Sequence, residues 1–151
     1  HKNLSDVGGV KYNKEELAYA EAISLTFGDN KKKLSVSEEI QPYVYYKETK
    51  GGGSTDVGDV SWAVPTGGFS TATYVPGTAG HSWQAASCTG TSIGTKGMLN
   101  AATVMALTAY DLFKNNRLIL SAQKEFKEKR GEDFEYNPLI GDRDPALNYR
   151  K

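Results

Sequence analysis

Apolar and polar positions follow several distinct rhythms along this chain, and each rhythm predicts an element. Leu17, Ala20 and either Ile23 or Phe27 recur at helical spacing, the signature of a helix with one face toward a core. Asn13 stands where an N-cap belongs and Glu16 follows three residues later, completing a capping-box pattern. Gly28 ends the segment. The strongest helical prediction covers Gly94 to Lys114. Met98, Leu99, Ala102, Val104, Met105, Leu107, Ala109, Leu112 and Phe113 make it apolar nearly all round, as a buried helix is. A second helix, Arg117 to Lys129, is amphipathic and charged toward its end.

Other stretches read differently. Tyr43 to Tyr46 has strand composition and lies between Pro42 and the glycines at 51 to 53. Phe69 to Val75 and Ser82 to Ser87 alternate as strands do. Asp56 to Trp62 reads as a short helix capped by Ser54 or Thr55, with its carboxylates in the first turn and Pro65 ending it. His1 to Tyr12 is polar, broken at Gly8-Gly9, and reads as an extended lead-in. The residues after Gly131 carry Pro138, Gly141 and Pro145 and read as irregular chain over the surface. This order suggests an α/β domain, although it matches regular alternation poorly.

Composition narrows the function classes. The chain has 151 residues, enough for one sizeable core and one domain. Lys plus Arg and Asp plus Glu balance at 18 each, which removes the electrostatic case for nucleic acid or an anionic membrane as the main partner. Lys31-Lys32-Lys33 reads as a solvated loop. A single cysteine, Cys88, excludes an intrachain disulfide and fits a reducing, cytoplasmic setting. The apolar run from Met98 to Phe113 is interrupted by Thr103, Thr108 and Asp111 and is too short to span a membrane. No signal peptide is visible. Position 1 is His rather than Met, so the chain reads as a piece of a longer protein.

Candidate chemistry concentrates between Gly51 and His81. His81 lies in Gly80-His81-Ser82-Trp83 and is one of two histidines. Imidazole is a common metal ligand and acid/base, although a loop histidine held by hydrogen bonds looks the same in sequence. Asp56 and Asp59, spaced i,i+3, can bind metal or move protons, or can cap a helix and complement its dipole. Gly51-Gly52-Gly53 before Ser54-Thr55 could cradle an anion or serve as a linker. Lys96 could reach a substrate carboxylate or simply sit on the surface near a helix start. Cys88 has no adjacent base. Trp62 and Trp83 suit either an aromatic pocket or a core. There is no phosphate-binding loop, dinucleotide fingerprint or HExxH. One histidine and two aspartates are marginal for a hydrolytic metal site, which needs at least three protein ligands.

Taken together, these residues resemble the carboxy-terminal portion of the metal-dependent amidohydrolase and exopeptidase family. That family includes aminoacylases and glutamate carboxypeptidases. The likeness is greatest to the branch that holds the B subunits of aminobenzoyl-glutamate hydrolases. It rests on Gly53-Ser54-Thr55-Asp56-Val57-Gly58-Asp59-Val60-Ser61-Trp62, Pro76-Gly77-Thr78, Gly80-His81-Ser82-Trp83-Gln84 and Gly94-Thr95-Lys96-Gly97-Met98. Asn3 to Glu16 resembles the re-entry from the family's lid domain.

The resemblance implies the last part of a two-metal α/β catalytic domain, a mixed sheet packed by helices, without its lid. Residues 1–12 would lead in from that lid, 13–130 would form the end of the catalytic domain, and 131–151 an irregular tail. His81 would be a metal ligand, Gly53, Ser54, Thr55 and Asp56 a loop beside the substrate, and Asp59 a brace or a partner of the ligand's other nitrogen. The cofactor implied is a pair of divalent metals, zinc or manganese, in the complete enzyme. The implied substrates are N-acyl amino acids or aminobenzoyl-glutamate-like amides, and the implied partners a second copy or an A-type subunit. The general base and the remaining ligands would lie outside this chain, leaving it inactive alone. Ser87 to Gly94 lacks the carboxylate many relatives carry there, which agrees with the aminobenzoyl-glutamate branch. The alternative is a non-catalytic α/β binding module with a degenerate metal site.

Overall fold

The computed structural model describes residues 1–45, 55–131, 133–138 and 141–148. Among them the regular structure is helical throughout: α1 (Lys2–Val7), α2 (Lys14–Ser24), α3 (Val57–Ala63), α4 (Trp83–Thr89), α5 (Ser92–Lys114) and α6 (Asn116–Arg130). Single 3-10 segments lie at Gly28–Asn30 and Leu34–Glu38. The described residues contain no strand. The expectation of an α/β fold with a mixed sheet is therefore corrected.

The reasons are local. A strand exists only where its amides find a ladder neighbour. In Phe69 to Val75 the Thr73 amide turns back onto the Thr71 carbonyl (3.0 Å), a three-residue turn that breaks an extended run. The Thr71 hydroxyl donates instead to the Gly97 carbonyl of α5 (2.8 Å). Ser82 to Ser87 is helical because the Ser82 hydroxyl accepts the Ala85 amide (3.1 Å) and so caps α4. The lead-in is also helical in part. Lys2 pairs with Asp6 one turn on (2.5 Å), and α1 stops at Gly8, whose φ of 82° requires glycine's freedom. Tyr43 to Tyr45 is irregular, and Tyr46 lies outside the described residues.

The chain divides into two compact units. The first is His1–Lys50 with Gly68–Asn115, and the second is Gly51–Gly67 with Asn116–Lys151. The core of the first unit gathers Ala20 and Ile23 from α2, Cys88 from α4 and Ile93 from α5. Val10, Tyr12, Phe27 and Val75 join from the connecting segments. Burial raises the pKa of the Tyr12 hydroxyl above the usual tyrosine value. Tyr19 reaches the same core from α2 and shares a hydrogen bond with Ser87 of α4 (2.8 Å). α1 and α4 both pack on α5. Asn3 donates to Asp111 (2.8 Å) and Thr108 (3.2 Å) of α5. Gly97 sets the distance between α5 and the 71–73 segment: a Cβ there would stand 2.5 Å from the Ala72 carbonyl oxygen, well inside contact distance.

The second unit is held by aromatic contacts. Trp62 of α3 stacks on Phe134 with ring centroids 4.8 Å apart and planes 18° from parallel. The Arg130 guanidinium lies over the rings of Phe126 (4.8 Å) and Phe134 (5.7 Å). Neither α3 nor α6 buries a residue fully.

Candidate functional site

His81 is carried by the turn that starts α4. Gly77 takes a φ of 98° and passes so close to the Asn30 carbonyl that a Cβ would meet its oxygen at 2.4 Å. The next residue, Thr78, closes a tight turn by donating both its amide (3.0 Å) and its hydroxyl (2.7 Å) to the Val75 carbonyl. Ser82 then locks the far side, donating its hydroxyl to the Ala79 carbonyl (2.6 Å) while accepting from Ala85. Between these two fixed turns His81 adopts a φ of 54°, alone among the described non-glycine residues in the left-handed region. That region costs an L-residue free energy and persists only where surrounding contacts impose it.

Beyond the turn, α4 is anchored by Ala85 and Cys88, both buried. The imidazole itself is exposed, and so is Trp83 beside it, at 63%. The result is a solvent-facing imidazole on a rigid mount.

The carboxylates of the predicted site belong to the other unit. Asp56 precedes α3 at the N-cap position but makes no side-chain cap bond. The Thr55 hydroxyl oxygen accepts the Val57 amide instead (3.3 Å). Asp59 accepts a hydrogen bond from the Tyr136 hydroxyl, and this bond to a carboxylate holds the tyrosine pKa above its usual value. Gly53 and Ser54 lie outside the described residues. Among the described residues no group of three or more His, Cys, Asp or Glu side chains could hold a metal ion. His81 could give one ligand where a mononuclear catalytic site takes three. These residues by themselves do not make a metal centre.

Lys96, a candidate for a substrate carboxylate, is committed elsewhere. Its ammonium donates to Glu16 Oε2 (2.5 Å) and to the Lys11 carbonyl (2.9 Å). Glu16 is almost completely buried. Its Oε2 also accepts the Asn13 amide (2.7 Å), and its Oε1 accepts the Ser92 hydroxyl (2.6 Å). Burial alone would raise the Glu16 pKa. The hydrogen bonds from Lys96, Ser92 and the Asn13 amide, with the lysine's charge, outweigh it and leave the carboxyl below its ordinary value. The capping box was legible in the sequence. The two donors from α5, some 80 positions on, carried no local signal.

Comparison with known proteins adds the family context. The chain is 32% identical to the B subunit of p-aminobenzoyl-glutamate hydrolase from Escherichia coli (strain K12), in an alignment that covers 85% of this chain and 31% of the relative. It is related to that protein's family. The chain thus spans about a third of the length of the curated relative it matches. No family model and no solved structure matches it. No helix among the described residues is long and apolar enough to cross a membrane.

Proposed function

We propose that this chain forms the carboxy-terminal part of a metal-dependent amidohydrolase, one that cleaves the amide bond of aminobenzoyl-glutamate-like or N-acyl amino acid substrates. The observation that carries this reading is the 32% identity to a protein named as part of a p-aminobenzoyl-glutamate hydrolase. His81, held in a constrained backbone and open to solvent, is the group suited to meet a metal completed by residues outside this chain. The metals, zinc or manganese, would supply an acidified water. This chain's contribution is to fix one imidazole and to border the substrate with the Gly53-Ser54-Thr55-Asp56 loop. Asp59, which accepts the Tyr136 hydroxyl, would serve as the brace in this reading. The relative's designation as one subunit of an enzyme favours a second polypeptide, or a second copy, in the working assembly.

The 151-residue chain alone is expected to hydrolyse no p-aminobenzoyl-glutamate. In the native-length protein, His81→Ala is expected to lower bound metal and to cut hydrolysis by about a hundredfold or more, as losing a ligand or its support does. Retained metal and turnover would return His81 to an ordinary loop histidine. A non-catalytic binding module is the second reading, favoured by the absence of a metal-ligand cluster among the described residues. A native-length protein that binds neither zinc nor manganese would decide for it.

A further inference from the structure

The two tryptophans of the chain suit either a core or an aromatic pocket, and the structure separates them. Trp62 is already stacked on Phe134. Trp83 stands 63% exposed on the first turn of α4, and among the described residues no ring stacks on it. The core takes Ala85 and Cys88 from the same helix and leaves the indole outside.

The backbone that carries this indole is fixed on both sides. Before it, the Ser82 hydroxyl donates to the Ala79 carbonyl and accepts the Ala85 amide. After it, the Gln84 side-chain amide donates to the Thr26 hydroxyl, just beyond the end of α2 (3.2 Å). Only Ser82 lies between Trp83 and His81, so their Cα atoms are no more than about 7.6 Å apart, twice the trans-peptide spacing. Both side chains are exposed, and the Ser82 bonds that hold the left-handed turn at His81 also set where Trp83 begins.

An aminobenzoyl amide differs from an aliphatic N-acyl amide at one place. Its aromatic ring is bonded directly to the carbonyl carbon that is attacked. The surface that receives the ring must therefore lie beside the group that acts at that carbonyl. Rings stack with centroids about 4.5–7 Å apart, a spacing that the separation of His81 and Trp83 accommodates. An indole offers a large, flat contact with little side-chain entropy to lose.

We infer that Trp83 is the specificity-determining residue for the acyl side of the substrate, stacking on an aryl ring joined to the scissile carbonyl. This assignment rests on the reading of His81 above and narrows it. Of the two substrate classes, aminobenzoyl amides are the ones this surface selects. Aliphatic N-acyl amino acids give the indole nothing to stack on.

p-Aminobenzoyl-glutamate and N-acetylglutamate share the glutamate and the amide and differ only in the acyl group. The ratio of their dissociation constants therefore reads the acyl side alone. Equilibrium dialysis against the native-length protein, stripped of metal by a chelator so that nothing is hydrolysed, should show tighter binding of the aryl compound. Trp83→Ala and Trp83→Leu should each cut that preference by about tenfold, and Trp83→Phe should keep most of it, as ring-to-ring contact requires. Because the indole is exposed, all three variants should keep the wild-type circular dichroism. In the metal-loaded protein, Trp83→Ala should raise KM for p-aminobenzoyl-glutamate more than it lowers kcat.

Equal affinity of the wild type for the two compounds would overturn the inference. So would an unchanged preference in Trp83→Ala, or a preference fully kept in Trp83→Leu, which would make the contact merely apolar. An active hydrolase that keeps its aryl preference in Trp83→Ala would remove the role of Trp83 and leave the proposed activity standing. A preference that falls as expected, in a protein that hydrolyses neither compound with zinc or manganese, would refute the activity and leave the aryl-binding surface in place.

Discussion

Glu16 is the residue on which the described structure places the most demands. Its carboxylate is buried, yet one ammonium, one hydroxyl and one backbone amide satisfy it. A buried carboxylate that loses its cation remains costly to desolvate. Lys96→Met is therefore expected to lower unfolding stability by about 2–3 kcal/mol, below the roughly 3–5 kcal/mol of fully buried pairs because Lys96 is itself partly exposed. Glu16→Gln, which keeps an acceptor at the cap, should cost less.

The pH dependence follows from the lowered pKa. The unfolded glutamate titrates near about 4.3. The stabilisation is complete above that value and is lost as pH falls through the still lower folded value. Urea titrations stepped from pH 6 to pH 3 should show stability falling in the wild type, and a shallower fall in Glu16→Gln. Parallel curves for the two proteins would refute the assignment.

At the scale of elements, the close approach of α5 to the 71–73 segment makes the next prediction. Gly97→Ala pushes a methyl into the Ala72 carbonyl at 2.5 Å and against the Thr73 methyl at 2.8 Å. Backbone cannot yield as a side-chain tip can, so a loss of about 2 kcal/mol is expected in denaturant melts, as for other overpacked sites. Gly58→Ala on α3, where a Cβ meets nothing within 4 Å, should be neutral or slightly stabilising.

The same scale shows what was readable beforehand. α2 announced itself by Asn13 and Glu16, which do form the capping box, and α5 and α6 by long periodic runs. α4 did not. Its seven residues are too few for a 3.6-residue period to be told from alternation, and the Ser82 cap decides the matter. Phe69 to Val75 has the composition of a strand, but composition cannot report whether a ladder neighbour exists. At the candidate site the sequence singled out His81, Asp56 and Asp59. The Tyr136 bond to Asp59 and the engagement of Lys96 depend on residues distant in the chain, and the left-handed backbone at His81 on two flanking turns that no composition or period reports.

For the molecule as a whole, burial is unevenly shared. Every fully buried residue among those described belongs to the first unit, while the described contacts of the second are a stacked aromatic pair, an arginine over two rings, the Tyr136 bond to Asp59 and exposed ion pairs. Amides in units with few buried apolar contacts open at low free energy. Hydrogen exchange of the 151-residue chain should therefore protect α2, α4 and the first half of α5 by at least about a hundredfold more than α3 and α6. Equal protection across both units would contradict this division.

The Glu16 carboxylate also bears on the order in which the chain can fold. Residues 13 to 16 can close their ring as soon as they are made, a local event on the sub-microsecond scale of helix formation. The ring is completed only when Ser92 and Lys96 arrive across some 80 residues of intervening chain. One side chain thus belongs both to the fastest step available to the chain and to one of its most distant closures. A change at Glu16 should slow folding, whereas a change at Lys96 should mainly hasten unfolding.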